Sequence, residues 1–364
     1  MRRRIFLDKP NLGPAEKREL DRAIDQGYVS TVGPFVGKFE EAFARACGVR
    51  RAVSTQSGTA ALQMALHELG VGAGDEVVVP VLTFVASVNP IIHCGAKPVF
   101  VDVDPETWNM DPGEVRRALT RRTKAIMPVH LFGNPCDMTA ILATARRHNV
   151  AVIEDATESL GATYQGRATG ALGDFGCFSF NGNKVITTGG GGMIIGKSLR
   201  RLNHVKFLVN QGRDDREGFF HSEAGFNYRM TNVEAALGLA QMRRLKGFLQ
   251  QKKQFARLYR AALGGLPTVR FQRETAGAES SWWMTCLAWT GGNVERLRKA
   301  LAARGIPTRR VFTPVNRFPY LARYARRTYP AADRLFEQGL CLPASTVNTA
   351  ADIRRVGAAL KELL

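Results

Sequence analysis

No stretch of this 364-residue sequence approaches the ~18 uninterrupted apolar residues that a membrane-spanning helix needs. The basic opening Arg2-Arg3-Arg4 is followed by only three apolar residues before Asp8, too few for a signal-peptide core. A cytoplasmic protein with no membrane partner is therefore expected. Cysteine pairs at metal-ligand spacing are also missing. Cys47, Cys94, Cys136, Cys177, Cys286 and Cys341 lie far apart with no CxxC, which argues against a zinc site or a disulfide framework and predicts buried free thiols and no metal. Acidic residues are scarce: 32 Asp+Glu face 51 Lys+Arg, a net charge of +19, and only 13 of those cations are lysines. No block of five like charges, helix-turn-helix, RNP or zinc module accompanies the arginines, so no nucleic-acid partner is expected. An apolar content of 45% without low-complexity tracts excludes a disordered chain, and the length predicts about two domains.

What is present is alternation. A helix predicted over Gly58–Leu69 leads to a strand over Glu76–Val81, and a helix over Phe84–Cys94 to a strand over Lys97–Val103. Pro112–Leu119 then leads to Lys124–Val129, and Met138–His148 to Val150–Asp155. Nearly all-apolar strands separated by helices call for a mostly parallel sheet covered on both faces. Ligands of such sheets sit at the carboxyl ends of the strands, here Pro80–Phe84, Asp102–Asp104, His130–Asn134 and Asp155–Glu158. Beyond Gly225 the alternation gives way to a long helix over Asn232–Leu249 and a further segment over Lys252–Leu263. A strand over Trp282–Trp289 and helices over Asn293–Arg304 and Ala351–Leu364 complete the chain. The expected division is a large domain over residues 1–248 and a smaller α+β domain over 249–364, with Trp282 and Trp283 in the small-domain core.

The chemistry concentrates between Val152 and Ile195. A strand ends in Glu154-Asp155, Glu158 follows three residues later, and a lone Lys184 lies after Ser179-Phe-Asn-Gly-Asn183 and before four glycines, Gly189 to Gly192. Pyridoxal phosphate can use such an arrangement. It needs a lysine amine to condense with its aldehyde, in surroundings of low polarity that keep the amine available as the free base. It also needs a carboxylate facing the pyridine nitrogen, because the protonated ring is the stronger electron sink. Its phosphate needs hydroxyls and backbone N–H groups at a helix N-terminus, which Ser57-Gly58-Thr59 supplies and Ser179 can supplement. Each feature alone is common, since strand-end carboxylates often cap and serines often begin helices. Their order along one edge of one sheet is what points to a site.

The sequence resembles the DegT/StrS family of pyridoxal-phosphate-dependent nucleotide-sugar aminotransferases, of the fold type I aspartate aminotransferase-like class. The resemblance spans essentially the whole chain. It runs through Gly33-Pro-Phe-Val-Gly-Lys-Phe-Glu40, Ser57-Gly-Thr-Ala-Ala-Leu62, Pro128-Val-His-Leu-Phe-Gly133 and Glu154-Asp-Ala-Thr-Glu-Ser-Leu-Gly-Ala162. It continues through Ser179-Phe-Asn-Gly-Asn-Lys-Val-Ile-Thr-Thr188, Gly225-Phe-Asn-Tyr-Arg-Met230 and Gly339-Leu-Cys-Leu-Pro343. It implies that Lys184 holds the cofactor and moves the proton, that Asp155 pairs with the ring nitrogen, and that Glu158 approaches the phenolic oxygen. It further implies that Phe84 stacks on the ring and that Gly58, Thr59 and Ser179 hold the phosphate. Asn227 would reach the phosphate of the neighbouring subunit, hence a homodimer with shared active sites.

Two positions depart from the family pattern: Gly190 stands where many relatives carry Glu, and Asn181 where many carry His or Tyr. The presence of Lys184, where dehydratases of the family have His, favours transamination. The Asn181-Gly-Asn-Lys184 form, with Asn134-Pro-Cys-Asp137, is most similar to enzymes aminating C4 of a UDP- or GDP-linked 4-keto-6-deoxy N-acetylated hexose for bacillosamine- or legionaminic-acid-type surface glycans. The amino donor implied is L-glutamate. A 3-keto-sugar aminotransferase and a sugar dehydratase on the same scaffold are the alternatives. A sugar nucleotide carries two phosphates, so arginines are expected at its binding site. Arg229, Arg309 and Arg310 are the candidates, with His130 as a further strand-end residue.

Overall fold

The computed structural model describes residues 3–214 and 219–364. Its centre is a seven-stranded sheet in the order Ala52–Thr55, Gly192–Gly196, Phe175–Ser179, Ala151–Asp155, Thr123–Ile126, Glu76–Pro80, Lys97–Val101. Six of these strands run in one direction, and only Gly192–Gly196, antiparallel to both of its neighbours, runs against them. The continuous apolar runs have the cause expected of them. Val77, Val79, Phe100, Ala125 and Ile153 enter one core, whereas Val78, Val99, Val101, Ile126 and Val152 enter another across the sheet. The side-chain period of two divides each run between two buried faces.

Caps set where the helices between strands begin. Asp111 accepts from the N–H of Gly113 and Glu114 to start Pro112–Ala118, and Asp137 accepts from Ala140 to start Met138–His148. The helix expected over Phe84–Cys94 is instead a short turn, Val85–Ser87, followed by Asn89–His93. Pro90 has no N–H to donate to the Ala86 carbonyl a turn earlier, so the first turn does not continue into the second, and Pro90 sits instead in the first turn of Asn89–His93.

Asn232–Leu263 is one helix of 32 residues, not two, opened by a reciprocal cap between Thr231 and Glu234. Gln250, Gln251 and Lys252, where a break is expected, are good helix formers with no turn residue among them. The helix carries Leu245 and Phe248 into the large core, and Phe255, Tyr259 and Leu263 into a separate core with Leu287, Leu340 and Ile353. We therefore retain 1–248 and 249–364 as the proposed division, with the helix as a rigid strut across it. The second core also takes Ile5 from the amino-terminal arm, so the arm packs on the smaller domain. That domain is an antiparallel sheet in the order Val269–Phe271, Thr285–Trp289, Gly339–Leu342, Arg309–Arg310. Among the described residues no helix is long and apolar enough to cross a membrane, and no cluster of His, Cys, Asp or Glu is arranged to hold a metal.

Candidate active site

At the carboxyl ends of the central strands lies a cavity of about 250 Å³. One wall is the N-terminus of helix Gly58–Glu68. Ser57 caps it, its hydroxyl accepting from the Ala60 N–H at 3.1 Å. The N–H groups of Gly58 and Thr59 have no carbonyl a turn earlier to bond, so they make this end of the helix an anion site. Two close approaches shape it. A Cβ on Gly192 would lie 2.4 Å from the Ser57 carbonyl, and one on Gly58 would lie 2.8 Å from the Ser179 Cβ. These glycines let the Gly192–Gly196 strand, the helix start and Ser179 meet at one point. Replacing Gly192 by Ala is expected to push the Ser57-Gly58 backbone out of place at a cost of about 1–3 kcal/mol, lowering phosphate-ligand affinity roughly tenfold. Titration of apoprotein with pyridoxal phosphate reads that loss.

The floor is acidic. Asp155 ends its strand 3% exposed, with the Thr157 N–H donating to Oδ1 at 3.1 Å and the Ser87 hydroxyl to Oδ2 at 2.7 Å. Ser87 in turn shares a 2.8 Å hydrogen bond with Thr83. Asp155 lies just beneath the cavity surface, joined to it through Thr157 and the segment of Phe84 and Ala86.

Glu158 is buried. Its Oε2 accepts from the Phe132 N–H at 2.8 Å, and its Oε1 lies 3.6 Å from the Lys184 Nζ. Burial raises its pKa, against the opposing pull of Lys184 and of the Phe132 N–H. Phe132 adopts a positive φ of 57°, which aims that N–H at Glu158. The Lys184 ammonium sits 4.3 Å from the Trp283 ring centroid. Trp283 and Phe312 each stack with Phe132, at 6.3 and 5.3 Å between ring centroids, and Phe312 also meets Phe84 at 5.6 Å. Arg309 closes this wall between Trp283 and Phe312, and Asp8 reaches it from the arm at 3.4 Å. Among the described residues no hydrogen-bond partner meets Arg309 at Nε or Nη2, and the Cys341 thiol neighbours the guanidinium.

The structure thus gathers Gly58, Thr59, Phe84, Glu158, Ser179, Lys184 and Arg309 around one cavity, with Asp155 below it. Three expected substrate residues are elsewhere. His130 is completely buried: its Nδ1 accepts from the Cys136 N–H at 3.1 Å, so Nε2 carries the proton that is donated to Glu154 at 2.9 Å. This corrects its assignment to the pocket, since both nitrogens are used in the core. Arg310 turns away from Arg309 because consecutive strand residues face opposite ways. It stacks on Phe336 at 4.0 Å and donates to the Phe336 carbonyl at 2.6 Å. Arg229 lines a separate basic cavity with Arg51 and Lys206. Asn227 is exposed and contributes nothing to this chain's own cavity.

Trp283, Phe312, Asp8 and Ser87 were not anticipated as site residues. Trp283, expected in the small-domain core, instead joins the large core, where its ring faces Lys184. Its positive-φ neighbour Trp282 aligns with no periodic pattern, and Asp8 is too far along the chain for any local signal.

The residues fit pyridoxal phosphate. A cradle of small residues at a helix N-terminus suits the phosphate, an apolar wall suits the ring, a buried carboxylate suits the ring nitrogen, and Lys184 suits the aldehyde carbon. When bound, the cofactor supplies an electron sink that makes a neighbouring C–H acidic. Fold and site together define a pyridoxal-phosphate-dependent aminotransferase of fold type I. The model of the DegT/DnrJ/EryC1/StrS aminotransferase family matches residues 10–361, and the chain belongs to that family. It is 43% identical to the GDP-perosamine synthase of Caulobacter vibrioides over 99% of this chain and 98% of the relative. It is 40% identical to that of Escherichia coli O157:H7 over 93% of each. Among solved structures, the aminotransferase TlmJ from Streptoalloteichus hindustanus superposes with a TM-score of 0.93 at 31% identity, covering 98% of both chains.

Proposed function

We propose that this protein transfers an amino group from L-glutamate to the C4 carbonyl of a nucleotide-linked 4-keto-6-deoxy sugar, in a homodimer whose active sites are shared, for surface-glycan synthesis in the cytoplasm. The observation that carries the reading is Lys184, held in the cavity between Glu158 and Trp283. Its amine takes the proton from the donor's Cα and returns one to the sugar carbon. Asp155 keeps the ring nitrogen protonated throughout, its two hydrogen bonds holding the carboxylate in place. Glu158 meets the phenolic oxygen, Phe84 covers the ring, and Gly58, Thr59 and Ser179 hold the phosphate. Asn227, exposed on this chain, is assigned to the phosphate of the neighbouring subunit, with Arg229 beside it.

On the nucleotide, the names of the relatives favour GDP over UDP and a 4-amino product over a 3-amino one. They also favour a sugar without the C2 acetamido group of the bacillosamine type. A panel of GDP- and UDP-linked 4-keto-6-deoxy sugars, with and without that group, tests this through glutamate-dependent 2-oxoglutarate release. Turnover with the GDP-linked sugar is expected. Turnover confined to a UDP-linked acetamido sugar would reassign the nucleotide, and glutamate-independent loss of water would make the protein a dehydratase.

Arg309, two of whose nitrogens meet no hydrogen-bond partner among the described residues, is proposed to meet an anionic group of the sugar nucleotide. Arg309→Met is expected to raise the KM for that substrate about tenfold or more, the value of a hydrogen bond to a charged group. Steady-state kinetics with varied sugar nucleotide checks it.

A further inference from the structure

Lys252 is a buried cation that the chemistry above does not use. It lies on the inner face of helix Asn232–Leu263, 5% exposed, and no carboxylate oxygen comes within ion-pair distance of it among the described residues. Its Nζ donates to two backbone carbonyls, Trp283 at 3.0 Å and Ala344 at 2.9 Å. Burial lowers its pKa to about 8, opposed by the charge of Asp8. An ammonium so placed is costly, and an apolar side chain of the same volume would usually stabilise the fold more.

Both carbonyls lead to the cavity. The Trp283 ring faces the Lys184 ammonium, and its Nε1 donates at 2.7 Å to the carbonyl of Asn183, the residue before Lys184. The N–H groups of Ala344 and Ser345 both donate to Leu7, at 2.7 and 2.9 Å. Asp8, next along the arm, accepts from Asn183 Nδ2 at 3.2 Å and pairs with Arg309. Four segments far apart in sequence are thereby joined at one ammonium or one bond beyond it.

We infer that Lys252 is a positioning residue for transamination: by clamping the Trp283 and Ala344 carbonyls it sets Trp283 against Lys184 and Asp8 against Asn183 and Arg309. The inference rests on the aminotransferase reading above. Displacement of the wall moves the amine away from the carbon it must serve, and misplacement by about 1 Å lowers rates by up to ~100-fold.

The test compares Lys252→Met, Lys252→Gln and Asp8→Asn with Leu301→Ala, a cavity-forming control in the smaller domain's core. The holoenzymes are mixed with L-glutamate and the single-turnover half-reaction is followed by absorbance. Lys252→Met is expected to react about tenfold more slowly, while Leu301→Ala loses thermal stability but keeps the wild-type rate. Lys252→Gln, which retains two N–H donors without the charge, should fall between them. The Lys252→Gln and Asp8→Asn effects should be non-additive, because both act through the same contacts. That cycle also decides the matter if Lys252→Met does not fold.

Amide exchange in the apoproteins provides a readout independent of turnover: the Ala344 and Ser345 amides should exchange faster in the Lys252 variants and unchanged in Leu301→Ala. Wild-type rates in both Lys252 variants, additive effects, or equal slowing by Leu301→Ala would overturn the positioning role. If the wild type itself does not react with glutamate, the donor assignment fails. Cofactor affinity and the two amides then decide the role of Lys252: weaker binding with faster exchange supports it, and no change in either overturns it.

Discussion

Lys184→Ala is expected to lose turnover by at least ~10³-fold, within the range for removing a positioned proton-transfer group, before the loss of covalent attachment is added. The structure gives the reason. The amine occupies a partly apolar corner, 14% exposed at the side chain, between the Glu158 carboxylate and the Trp283 ring. No second lysine lines the cavity to substitute for it. Borohydride reduction of the wild-type holoenzyme followed by peptide mapping should place the cofactor on Lys184. Turnover measured with the sugar nucleotide and glutamate checks the rate. An alanine variant with wild-type turnover, or a label on another lysine, would refute the assignment. Folding should be little affected, because removing an ammonium from beside a buried glutamate leaves that glutamate free to take up a proton.

Glu154→Ala is expected to have the largest effect on stability, about 3–5 kcal/mol. Glu154 neighbours Asp155 in sequence but points to the opposite face of the strand. Its Oε1 accepts from the Leu172 and Gly173 N–H groups at 2.7 and 2.6 Å, and its Oε2 from Gly170 at 2.8 Å and His130 at 2.9 Å. Truncation leaves all four donors buried without partners. Denaturant unfolding should show the loss. Glu154→Gln should recover part of it, since the amide oxygen still accepts on one side. A loss below about 1 kcal/mol would mean that this network does not organise the turn at 170–173. Two neighbours on one strand thus face different ways: Asp155 lies under the cavity, while Glu154, with His130, holds the scaffold beneath it.

Much of the site was legible in local patterns. Ser57-Gly58-Thr59 combines a cap with small residues, and Asp155 closes an apolar strand in a helix-strand series. Both are local features of backbone and side chain that tertiary packing leaves in place. The errors are equally physical. His130 occupies the right end of the right strand, yet burial and two hydrogen bonds make it part of the core. Arg309 and Arg310 are indistinguishable as a dipeptide. Pairing of this short strand with Gly339–Leu342 sends one guanidinium to the cavity and the other to Phe336.

The sequence by itself determined most of the element order, the mostly parallel sheet, the setting of Lys184 and the strand-end carboxylates. Hydrophobic period, caps and glycines act over a few residues and need no knowledge of what lies opposite. Only the tertiary structure decided which side chains complete the walls: Trp283, Phe312, Arg309 and Asp8 come from the smaller domain and the arm, and Lys252 joins them from a helix spanning both domains. The facing of such residues depends on strand pairing and packing between segments hundreds of residues apart, and no local pattern records it.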